Sequence, residues 1–379
     1  MLQTLLLVDS YVVAVVAAAL LGTYLVMHVF TCNRSKVELH YRHDSPLQQF
    51  IAANAPSVSA PYHPPWWAIN AHIQIAMTLL VPQTPIAYTR ELLPLADGGQ
   101  IGLDWCTGAA TLPATAPIVL VVHGLTGCSY DMRSFCAEAL RAGFRPVAFN
   151  KRGHGDTPLT SPKLQAFGCT QDLSAAIAHI QASYPHAKIT GVGFSAGSGL
   201  VTSYLGETGA KSQLAAAALV SPGYDALGLF CHGGIYPLYH FLMTFTLKGL
   251  LKRHRDVLSS TIDVDAALQA RSIPEFDRHV YMSMHGYDDL EAYWAKNNPM
   301  RQVENIAVPT LCINARDDPV CTYRMIPFQG VFDSNPNAML ALTAYGSHCG
   351  FFELDGLELK SWATRASLDY LQAALRYQP

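Results

Sequence analysis

The sequence contains few charged residues. Only 14% of its 379 residues are Asp, Glu, Lys or Arg, whereas about 25% is usual for a soluble domain, and 50% are hydrophobic. A disordered chain needs the opposite balance, so disorder is excluded as the main state. The formal net charge is −3, and the longest basic run is the short segment 252–255. Nucleic-acid binding is disfavoured, because neutralising phosphates requires a concentrated basic face.

The sequence also lacks a cysteine pattern that would indicate disulfides or a metal. It has nine cysteines, an odd number, with no Cys-x-x-Cys and no His-Glu-x-x-His motif. We expect free, mostly buried thiols in a reducing compartment, and neither a metal ion nor a cofactor.

One long segment near the N-terminus has no charge at all. Residues 10–33 contain no Asp, Glu, Lys or Arg, and residues 11–30 are almost entirely apolar. A helix of about 20 residues crosses ~30 Å of hydrocarbon, so we predict a single-pass membrane anchor within residues 1–34. A cleaved signal peptide, which needs a basic start and a shorter apolar core, and a buried helix are the alternatives.

The residues after this segment indicate which side of the membrane is occupied by the rest of the chain, called the body below. Arg34, Lys36 and Arg42 follow the segment closely. Basic flanks usually remain in the cytosol, so we predict a cytosolic body.

The next part, residues 35–90, is predicted to be a linker and an N-terminal extension. Residues 55–65 include four prolines, which is typical of a linker. Residues 66–81 have apolar side chains at helical spacing, and we expect this helix to pack on the body or to lie at the membrane surface.

Residues 91–379 have the pattern of one α/β domain. Apolar runs typical of buried strands alternate with helical segments, which predicts a mostly parallel, doubly wound sheet with helices on both faces. The predicted strands of the parallel part are 117–122, 145–150, 188–194, 214–221, 309–314 and 338–344. Between 222 and 299 the alternation stops, and the chain becomes aromatic-rich and helical in character. We predict that this insertion is a cap over an apolar pocket.

A nucleophile motif stands between a predicted strand and a predicted helix. The sequence Gly193-Phe194-Ser195-Ala196-Gly197 has the form G-x-S-x-G, in which small residues allow a sharp turn that exposes the serine hydroxyl. A serine needs a base, and the base needs a carboxylate, to become a nucleophile near neutral pH. The sequence therefore predicts Ser195 as the nucleophile of a hydrolase.

The candidates for the acid and the base follow later strands. Asp317 and Asp318 come after the strand 309–314, and His348 comes after the strand 338–344. These positions give the order Ser, acid, His, and they lie at the carboxyl edge of the sheet, where such sites form. We favour Asp317 as the acid because it is nearer the strand end, and Asp318 remains the alternative.

Two backbone N–H groups are candidates for an oxyanion hole. The His123-Gly124 pair ends a strand and can direct the N–H of Leu125 at a developing oxyanion, while Ala196 begins the nucleophile helix. The side chains of His123 and His154 are expected to be structural.

Together these segments resemble the α/β-hydrolase superfamily, and within it the subgroup of bacterial YheT-like hydrolases and eukaryotic membrane-anchored lipases and esterases. The resemblance extends over residues 64–371. Its motifs are Asp97-Gly98-Gly99, His123-Gly124-Leu125-Thr126-Gly127, Phe149-Asn150-Lys151-Arg152-Gly153, Gly193-Phe194-Ser195-Ala196-Gly197, Tyr204-Leu205-Gly206-Glu207, Ala315-Arg316-Asp317-Asp318-Pro319 and His348-Cys349-Gly350-Phe351. The chain departs from the subgroup in having Gly346-Ser347 before the histidine, where relatives often have Gly-Gly.

The resemblance implies hydrolysis of carboxylic esters, with Ser195, Asp317 and His348 as the triad and with phospholipids or acylglycerols as substrates. An acyltransferase working through the same acyl-enzyme, and a non-catalytic lipid-binding protein, are the alternatives. The expected partners are a lipid ester and a membrane.

Overall fold

The computed structural model describes residues 2–32 and 35–378, without the side chains of residues 2–11, 28 and 30–32. In the described part, nine strands form one sheet in the order β1-β9-β8-β7-β6-β4-β5-β3-β2, and two further strands pair as a hairpin. Strands β4 to β9 are mutually parallel, whereas β1, β2 and β3 pair antiparallel. The strands are β1 Glu38–Tyr41, β2 Tyr88–Pro94, β3 Gln100–Cys106, β4 Ile118–Val122, β5 Arg145–Asn150, β6 Ile189–Phe194, β7 Leu214–Val220, β8 Thr310–Ala315, β9 Ala338–Thr343, β10 Phe352–Asp355 and β11 Glu358–Ser361.

Helices cover both faces of this sheet. The α-helices are α1 Leu2–Cys32, α2 Pro46–Asn54, α3 Pro56–Ser59, α4 Ala71–Leu80, α5 Arg133–Arg141, α6 Gln171–Ser183, α7 Ala196–Thr208, α8 Ala226–Cys231, α9 Pro237–Arg253, α10 Arg255–Leu258, α11 Val264–Gln269, α12 Ile273–Asp277, α13 Ser283–His285, α14 Leu290–Asn297 and α15 Trp362–Arg376.

The central strand β4 shows why a strand that is buried on both faces consists of a continuous apolar run. Val119 and Val121 belong to the core beneath α5 and α15, whereas Ile118, Leu120 and Val122 belong to the core beneath α6 and α7. Successive side chains of a strand point to opposite faces, so a strand buried on both faces must be apolar at every position. The predicted parallel sheet with helices on both faces is confirmed.

The insertion between β7 and β8 is helical, from α8 to α14. It has a hydrophobic core of its own, in which Phe230 and Trp294 stack with ring centroids 5.0 Å apart. This core also contains Leu164 and Val320 from the loops that follow β5 and β8. The insertion is thereby fixed over the carboxyl edge of the sheet.

The segment predicted to be a linker packs against the body instead. Pro56 begins the short helix α3, and Tyr62 is 1% exposed and contacts the ring of Trp362. Upstream, β1 adds an antiparallel edge strand beside β9. Pro56 and Pro65 stand at the start of short packed elements, and Tyr62 contacts a residue 300 positions later in the sequence.

The predicted anchor lies within the helix α1. Residues 1, 33 and 34 of the predicted anchor, and the side chains of residues 2–11, 28 and 30–32, lie outside the described part of the chain. Among those that are described, no helix is sufficiently long and apolar to span a bilayer. The transmembrane prediction is therefore not confirmed. The ring of Tyr24 in α1 meets Trp66 edge-on, with centroids 6.1 Å apart.

Candidate active site

Ser195 lies on a strained turn between β6 and α7. Its φ of 52° and ψ of −121° are unusual for a residue other than glycine, and such strain is common at functional sites. A Cβ on Gly193 would lie 2.4 Å from the backbone of Ser198, and one on Gly197 would lie 2.2 Å from the carbonyl oxygen of Val122. Only glycine fits at either position. The predicted nucleophile turn is present.

His348 joins Ser195 to a carboxylate. The imidazole Nε2 is 2.7 Å from the hydroxyl oxygen of Ser195, and Nδ1 is 2.9 Å from Oδ2 of Asp318. The Ser195 hydroxyl donates to Nε2, and the N–H at Nδ1 donates to the carboxylate. This is the arrangement in which a histidine can take the serine proton while a carboxylate orients the ring.

The carboxylate that contacts His348 belongs to Asp318, the alternative in the sequence, and not to the favoured Asp317. After β8 the chain turns, and Oδ1 of Asp318 accepts the N–H groups of Val320 and Cys321, both at 2.8 Å. These bonds direct Oδ2 of Asp318 at the imidazole. The carboxylate of Asp317 instead accepts the N–H of Ser347 at 2.8 Å.

The environment of Asp317 differs from that of its neighbour. Burial, together with the charge of Asp318, raises the pKa of Asp317 to about 7, although the Ser347 N–H acts in the opposite direction. Its second oxygen, Oδ2, is buried and has no hydrogen-bond partner. Asp317 thus holds the backbone of the loop that precedes His348.

The predicted oxyanion donors lie beside the serine. Gly124 is so close that a Cβ placed on it would be 3.6 Å from Cβ of Ser195. Ala196 is the first residue of α7, where the helix dipole favours negative charge. Leu125 and Ala196 both line a small cavity beneath the insertion.

A large groove opens at Ser195 and His348. It has a volume of about 1240 Å³, which is enough for a lipid-sized ligand. Its walls come from four parts of the chain, residues 57–84, 124–142, 194–195 and 348–372. The lining includes the apolar side chains of Phe135, Phe194 and Leu79 and also several charged side chains.

The insertion contributes no residue to this groove, contrary to the expectation that it covers the acyl pocket. It lines two much smaller cavities on another side of Ser195 and Ala196, with Phe230 and Trp294 among the lining residues. The aromatic side chains that suggested a lipid pocket divide into two groups. One group forms the insertion's own core, and the other is exposed on α9.

Two of the motifs behind the resemblance meet in an ion network centred on the buried side chain of Arg152. Arg152 is 4% exposed and forms hydrogen bonds of 2.6 and 2.8 Å to Asp172 and of 2.7 Å to Asp97. These contacts join the β2–β3 hairpin and α6 to the loop after β5. The sequence motifs alone do not reveal these ion pairs.

In the described part of the chain, one group of side chains brings possible metal ligands together, namely Asp318, Cys321 and His348. Both ring nitrogens of His348 are already hydrogen-bonded, one to Ser195 and one to Asp318. The cluster therefore fits a proton relay rather than a metal centre.

Comparisons with known proteins identify the family of this chain. The family model described as serine aminopeptidase, S33, matches residues 113–355, which contain all three relay residues. The chain belongs to this family, within the α/β-hydrolase superfamily. The chain is 34% identical to mouse phospholipase ABHD3 over 81% of this chain and 77% of that protein. It is 29% identical to mouse monoacylglycerol lipase ABHD2 over 89% of this chain and 86% of that protein. The carboxylesterase EstE1, from a metagenomic library, matches with 16% identity and a TM-score of 0.48 over 82% of this chain and 95% of that one.

Proposed function

We propose that this protein is a serine hydrolase that cleaves carboxylic esters of lipids, either phospholipids or acylglycerols. The observation that carries the proposal is the chain of hydrogen bonds from Ser195 through His348 to Asp318 at the end of a 1240 Å³ groove. Relatives named as a phospholipase and a monoacylglycerol lipase support the substrate class.

In the proposed reaction, the hydroxyl oxygen of Ser195 attacks the ester carbonyl while Nε2 of His348 takes its proton. The Asp318 carboxylate stabilises the imidazolium that forms. His348 then returns the proton to the leaving alcohol, which leaves an acyl group on Ser195. A water molecule, deprotonated by His348, attacks this ester, and His348 returns the proton to the oxygen of Ser195 as the fatty acid leaves.

The N–H groups of Leu125 and Ala196 are the proposed donors to the oxyanion. One such donor typically contributes ~3 kcal/mol to the stability of the transition state. Because both groups are backbone amides, substitution at Leu125 or Ala196 by any residue except proline leaves them in place.

The test is labelling with an alkylphosphonate probe, which reacts only with an activated serine. Wild-type protein should be labelled and Ser195→Ala should not, whereas Ser334→Ala, at an exposed serine that donates to the carbonyl oxygen of Gly330, should label normally. Folded wild-type protein that takes no label would contradict the proposal. Mass spectrometry of a lipid extract incubated with wild type and Ser195→Ala identifies the ester class, and added glycerol reveals any acyl transfer.

We further propose that the enzyme meets its substrate at a lipid surface. The support is an exposed apolar face on two neighbouring helices, α4 and α9, which His72 and Tyr239 join through a 2.7 Å hydrogen bond. The exposed side chains of this apolar face are Ile73, Leu79, Leu80, Leu238, Phe241, Leu242 and Phe245. Leu79 also lines the groove, and α9 ends in Lys252 and Arg253, which suit anionic headgroups.

Vesicle kinetics test this membrane proposal. Phe241→Asp with Phe245→Asp should raise KM for an ester presented in anionic vesicles several-fold and leave kcat on a short soluble ester unchanged. Leu357→Asp, at the fully exposed tip of the β10–β11 hairpin, is the control. Equal kinetics for both variants would contradict the proposal. Protease protection in sealed membranes tests the proposed cytosolic side.

A further inference from the structure

Lys151, the first residue after β5, is a buried cation without a carboxylate partner. It is 9% exposed, and its Nζ donates to the carbonyl oxygens of Gly124 at 3.1 Å and Leu125 at 3.4 Å. Among the described residues, no carboxylate forms a salt bridge with it. Burying a charge in this way costs several kcal/mol. A leucine or methionine would fill the same space without that cost.

Lys151 supplies the positive charge among the titratable groups that surround it. Burial, reinforced by the charge of Lys151, lowers the pKa of His123 well below its usual value and that of His154 to about 3. From the insertion, Asp277 and Tyr281 line the same small cavity, and burial raises the pKa of each above its ordinary value. The imidazoles of His123 and His154 and the phenol of Tyr281 are therefore neutral near pH 7.

The side chains of Lys151 and His123 both lie within hydrogen-bonding distance of the carbonyl oxygen of Gly124. The oxygen of Gly124 accepts from Nζ of Lys151, and Nδ1 of His123 is 2.8 Å from the same oxygen. That oxygen belongs to the peptide unit whose N–H is the N–H of Leu125. In a trans peptide the C=O and N–H point in opposite directions, and no described peptide bond is cis. Because these two donors hold the carbonyl oxygen of Gly124, they fix the direction of the Leu125 N–H on the opposite side of the same peptide unit.

We propose that Lys151 is a positioning residue that holds the Gly124–Leu125 peptide with its N–H directed at the oxyanion formed on the Ser195 adduct. Gly124 lies against Ser195, as the 3.6 Å separation between an added Cβ and Cβ of Ser195 shows. The proposal rests on the hydrolase function proposed above.

The charge of Lys151 also strengthens this donor. A carbonyl group that accepts a hydrogen bond from a cation is polarised, and the N–H of the same peptide unit becomes a better donor. Negative charge develops in front of this N–H during the reaction, and a fixed positive charge behind it needs no rearrangement at that moment. Lys151 thus stabilises the transition state without touching the substrate.

The main test compares turnover with substrate binding. Lys151→Met keeps the length of the side chain and removes the charge, and we expect kcat to fall 10- to 100-fold with KM changed less than two-fold. Phosphonate labelling of Ser195 should slow by a similar factor. The matched control is Lys188→Met, because Nζ of Lys188 also donates to a carbonyl group, that of Leu375, at the opposite edge of the sheet. This control should keep wild-type kinetics.

The pH profile separates a positioning role from a structural one. Burial lowers the pKa of Lys151 to about 8, so wild-type kcat should decline as pH rises through 8. Lys151→Arg stays charged, and we expect it to lose this decline and to turn over faster than Lys151→Met. If Lys151→Met fails to fold, Lys151→Gln keeps a neutral donor and provides the same comparison.

Two outcomes would overturn the proposal. One is a folded Lys151→Met or Lys151→Gln variant with kcat within two-fold of wild type. The other is an alkaline decline that persists unchanged in Lys151→Arg. Neither outcome can be confused with failure of the hydrolase proposal, in which case the wild-type protein would not react with the phosphonate at all.

Discussion

At the scale of single residues, two adjacent aspartates have different partners and should have different functions. Asp318 holds His348, whereas Asp317 holds the backbone of Ser347. Asp318→Asn should lower kcat about 10³- to 10⁴-fold, because an amide favours the wrong imidazole tautomer. Asp317→Asn should lower it less than ten-fold. Steady-state kinetics on a soluble ester, with folding checked by circular dichroism, measure both, and a larger loss in Asp317→Asn would refute the assignment.

Asp317 should also influence stability in a pH-dependent way. Its pKa is about 7 in the folded protein, against an ordinary value of 3.8, so the folded form binds this proton more tightly than the unfolded chain. The contribution to stability is complete below pH 3.8 and is lost as the pH rises through 7. Asp317→Asn should therefore raise the free energy of unfolding at pH 8 by about 1–3 kcal/mol. Urea denaturation at pH 8 and pH 5 measures this, and a gain that does not shrink at pH 5 would contradict it.

These two residues show what the sequence could and could not predict about the site. Ser195 and His348 could be predicted because each follows a strand, and a run of apolar residues in the sequence identifies each of these strands. The choice between Asp317 and Asp318 depends on how the chain turns after β8, which the N–H groups of Val320 and Cys321 determine. Adjacent carboxylates carry no signal of such bonds.

At the scale of elements, the close approach of α7 to β4 makes the turn at Ser195 sensitive to any added atom. A Cβ on Gly197 would lie 2.2 and 2.5 Å from the carbonyl oxygens of Val122 and His123. Gly197→Ala should lower the free energy of unfolding by about 2–3 kcal/mol or more and abolish phosphonate labelling.

A second glycine provides the control for this prediction. Gly249 lies in the middle of α9, and a Cβ there meets no atom within 4 Å. Gly249→Ala should raise the free energy of unfolding by about 0.5–1 kcal/mol, because alanine loses less backbone entropy in a helix. Thermal unfolding of the two variants measures both effects, and equal shifts would show that packing at the turn is not the cause.

The elements also differ in how well the sequence predicts them. The strands of the parallel sheet could be identified because each is a continuous apolar run between turn signals. The segment 55–65 could not, because its burial depends on distant partners. The hydroxyl of Tyr62, for example, donates to the carbonyl of Phe352, 290 residues later, at 3.0 Å. A local pattern contains no information about such a contact.

At the scale of the whole molecule, the groove depends on contacts between the two ends of the chain. Gln74 of α4 is fully buried, and its amide donates to the hydroxyl of Tyr62 at 3.0 Å and to the carbonyl of Ala68 at 2.9 Å. Its oxygen accepts the N–H of Phe352, four residues after His348, at 3.1 Å. One side chain thus fixes the N-terminal wall of the groove to the loop that carries the base.

We therefore expect Gln74→Ala to affect stability and substrate range together. Loss of these buried hydrogen bonds should lower the free energy of unfolding by about 1–3 kcal/mol. Because the groove wall moves away from the His348 loop, kcat/KM should fall more for a long-chain ester than for an acetyl ester of the same alcohol. Gln181→Ala is the control, since this amide also donates to two carbonyl groups, those of Tyr184 and Pro185, at the exposed end of α6. An equal loss of kcat/KM on both esters would mean that the N-terminal wall supports the His348 loop without shaping the binding site for the acyl chain.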